Sequence, residues 1–301
     1  MKQSTNNVLL IRPANFGFNE KTAASNRFQK QEEFDAQEVL AEFDAFAERL
    51  KEHGVNVFVF NDTPVPVKSD AVFPNNWISF HTDGTVILYP MSDGRQDERR
   101  RDIVEKLREN FHIERILDFS EYEKEGKFLE GTGSIVSDHE NKINYACLSP
   151  RTDKELFEKV SQILGYKPVS FRAVDQGGEE IYHTNVMMCI GHAFSVICLD
   201  SIKDEKERRV VIESLRHSGK EVVDISFEQL NSFAGNMLAV STNQNKTLLL
   251  MSEQASRSLA VEQKSTLAKY CELLPLPIPT IETIGGGSVR CMIAEIFLPE
   301  I

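Results

Sequence analysis

The chain has 301 residues, with 34 Lys+Arg against 46 Asp+Glu and a formal net charge of −12, giving a sequence pI near 5.2. With 41% hydrophobic and 27% charged residues, it reads as a globular chain able to bury a large core, not as a disordered or collagen-like one. The acidic balance excludes a binder that neutralises phosphates with basic patches. No apolar run approaches the roughly 20 residues of a membrane span. The N-terminal MKQSTNNVLLIRP lacks a signal-peptide apolar core, and Cys147, Cys189, Cys198, Cys271 and Cys291 form no CxxC. Scattered cysteines of this kind predict reduced thiols and a cytoplasmic location.

In chain order, NVLLIRP reads as a strand, a helical pattern runs from Phe34 to Leu50, and NVFVF reads as a second strand. From Asn76, WISFHTDGTVILYP predicts a hairpin turning at Thr82-Asp83-Gly84. A helix follows over 96–110, with Ile103 and Leu107 on one face, then the strand RILDFS. The same order returns from Ser134: hairpin SIVSDHENKINYACLS, helix TDKELFEKVSQIL, strand KPVSFRAV. It returns from Asn185 with NVMMCIGHAFSVICLD, KDEKERRVVIESLRH and EVVDIS. It returns again from Asn236 with NMLAVSTNQNKTLLLMS, a helix over 259–270 and CELLPLPI. Finally VRCMIAEIFLP supplies the first strand of a unit whose other parts open the chain.

Unit starts fall roughly 51 to 58 residues apart, a period that suggests radial repetition of five ββαβ units. A closed ring hides sheet edges, and the split unit then acts as a latch. The expectation is a single α/β domain over 1–301, a five-bladed propeller around a pseudo-fivefold axis. A linear α/β sandwich with the same element order is the alternative.

Just before, or in, the first strand of each unit stand Asn75-Asn76, Glu130-Gly131, His183 with Asn185, Gly235-Asn236, and Cys291. A ring brings these equivalent positions to one axial mouth. Each residue alone has a plainer reading: Cys291 as core, His183 as a satisfied structural histidine, Glu130 as a loop charge, Asn236 as a turn cap. Together Cys, His and a carboxylate make a complete nucleophilic set. The thiolate attacks, the imidazole moves protons and the carboxylate orients it. No second His/Cys pair with zinc-like spacing is present, so no metal is expected. The run Ile284-Gly285-Gly286-Gly287-Ser288-Val289-Arg290-Cys291-Met292 would let backbone approach a ligand closely or adopt positive φ.

GGGSVRCM resembles the nucleophile motif of the guanidino-group-modifying enzymes, the pentein superfamily of arginine deiminases, dimethylarginine hydrolases, arginine dihydrolases and amidinotransferases. FLEGTG resembles their carboxylate motif and YHTN their histidine motif; IRPANFGFN and VFPNNW resemble a bacterial citrulline-utilisation hydrolase-like branch. The resemblance spans nearly the whole chain and implies a five-bladed α/β propeller. It implies Cys291 as nucleophile, His183 as general acid/base and Glu130 as its partner. It implies substrate contacts from Asn15, Asn75, Asn76 and Asn185, with Arg151 gripping a substrate carboxylate, although Arg151 also reads as a solvent-facing helix-start residue.

Arginine deiminases carry two aspartates where this chain has Asn76 and Asn185. Amides both accept and donate, which favours a neutral ureido group or a dihydrolase handling both forms. The implied activity is cysteine-dependent hydrolysis of a guanidino or ureido group with release of ammonia and no cofactor. The alternatives are transfer of the amidino group to an amine, action on peptidyl arginine, or a non-catalytic binding module. The expected partner is a small-molecule guanidino or ureido amino acid, with no nucleic acid and no membrane. The oligomeric state is left open to a homodimer.

Overall fold

The computed structural model describes residues 2–23, 25–92 and 94–301. Strands β1 (Asn7–Arg12) and β2 (Asn56–Asn61) flank a helix over Ala36–Glu52. Next come β3 (Ile78–Phe80), β4 (Thr85–Leu88) and β5 (Arg115–Asp118), then β6 (Val136–Asp138), β7 (Ile143–Cys147) and β8 (Lys167–Phe171). They are followed by β9 (Met188–Ile190), β10 (Phe194–Ile197), β11 (Glu221–Asp224), β12 (Leu238–Ser241), β13 (Thr247–Ser252), β14 (Glu272–Leu276) and β15 (Ala294–Glu295).

These strands make five three-stranded sheets of one design. In each, the middle strand runs antiparallel to the unit's first strand and parallel to its third. The parallel step is bridged by a helix, as a parallel pair requires. The split unit is observed: β15 pairs with β1 through Val8↔Glu295 and Leu9↔Ala294, and β1 pairs with β2 from Asn7↔Asn56 to Arg12↔Asn61.

Three of the bridging helices start where an aspartate can accept from free backbone N–H groups. Asp35 accepts from Gln37 N, Asp153 from Leu156 N, and Asp204 from Lys206 N and Glu207 N. Each such cap contributes about 1 kcal/mol. On the first helix Val39, Phe43, Phe46, Ala47 and Leu50 form one buried face. Recurrence at three and four residues is what packs a helix on a sheet.

Three local expectations are corrected. The pattern over 96–110 is helical only at Arg101–Leu107, after a 3-10 turn at Gln96–Glu98. The helix expected over 259–270 is two, Glu253–Ser258 and Val261–Ala268. Cys291 is not in a strand: its N–H bonds to the Ser288 carbonyl at 2.9 Å and Met292 N to Val289 O at 3.3 Å, so a turn precedes the two-residue β15. Apolar residues buried on every side read alike in a strand and in a buried turn.

The first strands lie together. β15 packs near β3, β6 near β9, and β9 near β12. Two cavities of about 40 and 30 Å³ lie among residues of β3, β6, β9, β12 and β15. The segments leading into three of these strands are single helical turns, Pro74–Asn76, Gly131–Ser134 and Thr184–Met187. These turns set the side chains of the site. Among the described residues no helix is long and apolar enough to cross a membrane.

Candidate active site

Glu130 is fully buried where the chain enters the Gly131–Ser134 turn. Gly131 has φ +46, and a Cβ there would run into the carbonyl oxygens of Asn75 and Asn76, so this approach of two units needs glycine. The Glu130 Oε1 accepts from Ser92 N at 2.9 Å and Ser92 Oγ at 2.6 Å. Oε2 accepts from Arg95 Nη1 and from His183 Nε2, each at 2.8 Å, with Arg151 Nη1 at 3.6 Å. Burial alone would raise this carboxyl, but Arg95, Arg151 and His183 outweigh it and hold it well below the usual carboxylate range.

His183 is buried in extended backbone just ahead of the Thr184–Met187 turn. Burial lowers its pKa to about 4, against the raising influence of Glu130. The imidazole is therefore neutral near pH 7. An ionised Glu130 only accepts, so Nε2 carries the hydrogen and Nδ1 keeps a free lone pair. Nδ1 faces Gly133: a Cβ on that residue would lie 2.8 Å from His183 Nδ1 and 2.5 Å from Asn76 Oδ1.

The Cys291 Sγ lies 3.4 Å from Asn185 Nδ2 and 3.3 Å from Asn236 Nδ2. Asn236 is itself fixed, donating to Asn185 O at 2.9 Å and accepting from Arg290 N at 3.1 Å. Burial raises the Cys291 thiol, while the Ser288 backbone and the two amides favour its ionised form. All five cysteines are buried and unpaired. Among the described residues only Cys291 faces side-chain amide donors; Cys147 lies against Ile181 O and Thr184 Oγ1, and Cys271 against Leu267 O.

Asn75 and Asn76 are buried, 0% and 4% exposed, with their carbonyls against Gly131. Both polar atoms of the Asn75 amide, Asn76 Oδ1 and Asn185 Oδ1 are buried without a hydrogen-bond partner. An unpaired buried amide atom costs on the order of 1–3 kcal/mol. Three of these four atoms are oxygens that can accept N–H groups, and the fourth, Asn75 Nδ2, is a donor.

Arg151 is not in solvent. It is buried 3% exposed in the turn before Asp153, stacks over the Tyr182 ring at 4.8 Å, and donates to Ser25 Oγ and Thr22 O. Asn236 is no mere turn cap, since its amide touches the thiol. Asn15 stands apart: its amide donates to the Pro64 carbonyl at 2.9 Å and, among the described residues, bonds to none of Glu130, His183 or Cys291. Of the three consecutive glycines, Gly286 takes φ +62 to end the Pro279–Gly285 helix. A Cβ on Gly285 or Gly287 would strike the Phe73 ring at 2.8 and 2.9 Å, so these two serve packing.

Sequence reasoning missed Ser92, Arg95, Glu98 and Asp70. Arg95 is buried, forks onto Glu98 at 2.8 and 2.7 Å, and reaches Asp70 at 3.6 Å as well as Glu130. The i,i+3 pair in Arg95-Gln96-Asp97-Glu98 was the available signal. Among the described residues no group of three or more His, Cys, Asp or Glu is placed to hold a metal ion.

The α/β frame thus carries a histidine–carboxylate pair, a thiol flanked by two amides, and amide oxygens without a donor. The model of the family described as N,N dimethylarginine dimethylhydrolase, eukaryotic, matches residues 12–298, and the chain belongs to this family. No protein of curated function matches in sequence.

Among solved structures, the fold is similar to ArgZ, an arginine dihydrolase from the ornithine-ammonia cycle in cyanobacteria. The TM-score is 0.78 at 16% identity over 98% of this chain; the chain spans only 41% of that protein. The N-terminal domain of ArgZ, solved covalently bound to a reaction intermediate, matches with a TM-score of 0.76 at 17% identity over 97% of this chain and 98% of that one. A dimethylarginine hydrolase (DDAH) from Pseudomonas aeruginosa, complexed with citrulline, matches with a TM-score of 0.67 at 13% identity over 97% of this chain and 100% of that one.

Proposed function

We propose that this chain hydrolyses the guanidino or ureido group of a small arginine- or citrulline-type amino acid through a covalent bond to Cys291. The observation that carries this reading is the pairing of two arrangements. One is His183 bonded to a Glu130 carboxylate, with Nδ1 free; the other is a thiol under two amide N–H groups, beside acceptor oxygens without donors.

Near pH 7 the thiol and the imidazole are both neutral before substrate binds. A ligand guanidinium or ureido group offers N–H donors to the Asn76 and Asn185 oxygens. The thiol proton passes to His183 Nδ1 as sulfur adds to the central carbon. Nδ1 then returns that proton to the departing nitrogen, and ammonia leaves. Water, deprotonated by Nδ1, attacks the S-linked carbon and frees the thiolate, which takes that proton back from Nδ1. Splitting one displacement into two is what a covalent nucleophile contributes. Asn75, Asn76 and Asn185 bind the reacting group, while Arg151 receives the carboxylate once Ser25 and Thr22 release it. No cofactor enters.

The five like sheets, their first strands gathered around shared cavities, support a closed five-bladed ring forming one domain over 1–301. The reduced cysteines support a cytoplasmic enzyme, and a homodimer is the assembly to look for. A panel of arginine, citrulline, dimethylarginine, N-acylated arginines and agmatine, with ammonia and amine products measured, tests the substrate. Hydrolysis of free amino acids with little of agmatine or acylated forms is expected. Turnover that requires an added amine would instead favour amidino transfer, and no turnover on any member would favour a binding module.

A further inference from the structure

Glu282 is a buried carboxyl that the chemistry above does not use. It is 2% exposed on the Pro279–Gly285 helix and, among the described residues, makes no ion pair. Its charged neighbour is another carboxylate, Glu42, which accepts from Thr280 N and Ile281 N at the start of the same helix. Burial pushes the Glu282 carboxyl up to about 7, with Ser288 and Ser252 opposing. A leucine of similar size would fill this place without desolvating a carboxyl, so burial alone gives no reason for the acid.

Its hydrogen bond gives one. Ser288 Oγ, fully buried, donates to Glu282 Oε1 at 2.5 Å. The Ser288 carbonyl accepts the Cys291 N–H at 2.9 Å, closing the turn that aims Sγ at Asn185 and Asn236. Between Glu282 and Ser288 lie the glycines 285–287, which offer no side chain to set the loop's path. We propose that Glu282, through Ser288, is a positioning residue that fixes the nucleophile turn against the two amides. This deepens the reading of Cys291 as nucleophile and rests on it.

The test measures kcat, KM, melting temperature and the rate of Cys291 alkylation by chloroacetamidine, located by mass spectrometry. Glu282→Gln keeps an acceptor for Ser288 and should hold kcat within about twofold, whereas Glu282→Leu should lower kcat about 10- to 100-fold with KM nearly unchanged, the scale of a misplaced reacting atom. Alkylation of Cys291 should slow in parallel while the melting temperature stays within a few degrees. Ser288→Ala should reproduce the loss, and the double variant should be no worse than either single one, because both remove the same link.

Wild-type kcat and alkylation in Glu282→Leu, or additive losses in the double variant, would overturn the proposal. Loss matched by a collapse in melting temperature, unrescued by Gln, would overturn it too. Alkylation reports on the turn even if turnover proves independent of Cys291, so the two claims fail separately.

Discussion

The two halves of the site differ in how completely they are satisfied. On the Glu130 side the carboxylate is fully bonded: its two oxygens take Ser92, Arg95 and His183, and Arg95 in turn takes Glu98. Asn75, Asn76 and Asn185, by contrast, have four buried amide atoms without a hydrogen-bond partner. The first half is held by its own bonds, while the amide atoms of the second have no partner within the chain. The contrast teaches that the fold pairs some buried polar groups itself and, on the proposed function, leaves others to a substrate.

The largest expected effect comes from removing the frame both halves share. Deletion from Val289 onward takes away β15 and buried Met292, Ile293, Ala294 and Ile296. It should abolish the cooperative melt, and a truncated chain melting within a few degrees of wild type would argue against a latch.

Glu130→Gln breaks the satisfied half. It leaves Arg95 and Arg151 short of a buried counter-charge, so chemical denaturation should show a loss of about 3–5 kcal/mol, with activity lost as well. Asn76→Leu addresses the unfilled half. Removing an amide oxygen that has no partner should leave stability within about 1 kcal/mol while weakening substrate binding tenfold or more, read as KM. Equal stability losses in the two variants would erase the comparison.

The smallest effect is on pH. His183 is lowered by burial to about 4 in the folded chain, from an ordinary value near 6.5. Below that value the unfolded chain binds the proton and the folded chain does not. Its contribution is therefore complete above pH 6.5 and lost as pH falls toward 4. His81, at about 4, and His139, at about 3, act in the same direction. Glu98 and Glu282, raised by burial to about 7, act in the opposite one, stabilising in acid and less so as pH rises through 7. Substituting His183→Asn should flatten the stability curve between pH 6.5 and 4 by at most one proton, about 1.4 kcal/mol per pH unit. An unchanged slope would mean the imidazole is not held neutral.

Much of the frame was legible because the hydrophobic pattern repeats: hairpin, helix and strand recur, and even the unit split between the termini could be read from VRCMIAEIFLP and NVLLIRP. Glu130, His183 and Cys291 were legible because each precedes or opens a first strand. The Arg95–Glu98 network was not, since the charged string around it reads as a solvated face. Whether such charges turn inward depends on the loop after β4, which no local period encodes. Asn236 and the turn at Cys291 were hidden for a related reason. A polar residue beside glycine has a satisfactory local role, and only the contact across 55 positions shows its partner.

The central claim is that the Cys291 sulfur forms the covalent bond. Its direct test is turnover of Cys291→Ser on the best substrate of the panel, measured beside its melting temperature. The account predicts near-complete loss of ammonia release with the melt unchanged. A folded Cys291→Ser protein that still turns over at the wild-type rate would contradict it.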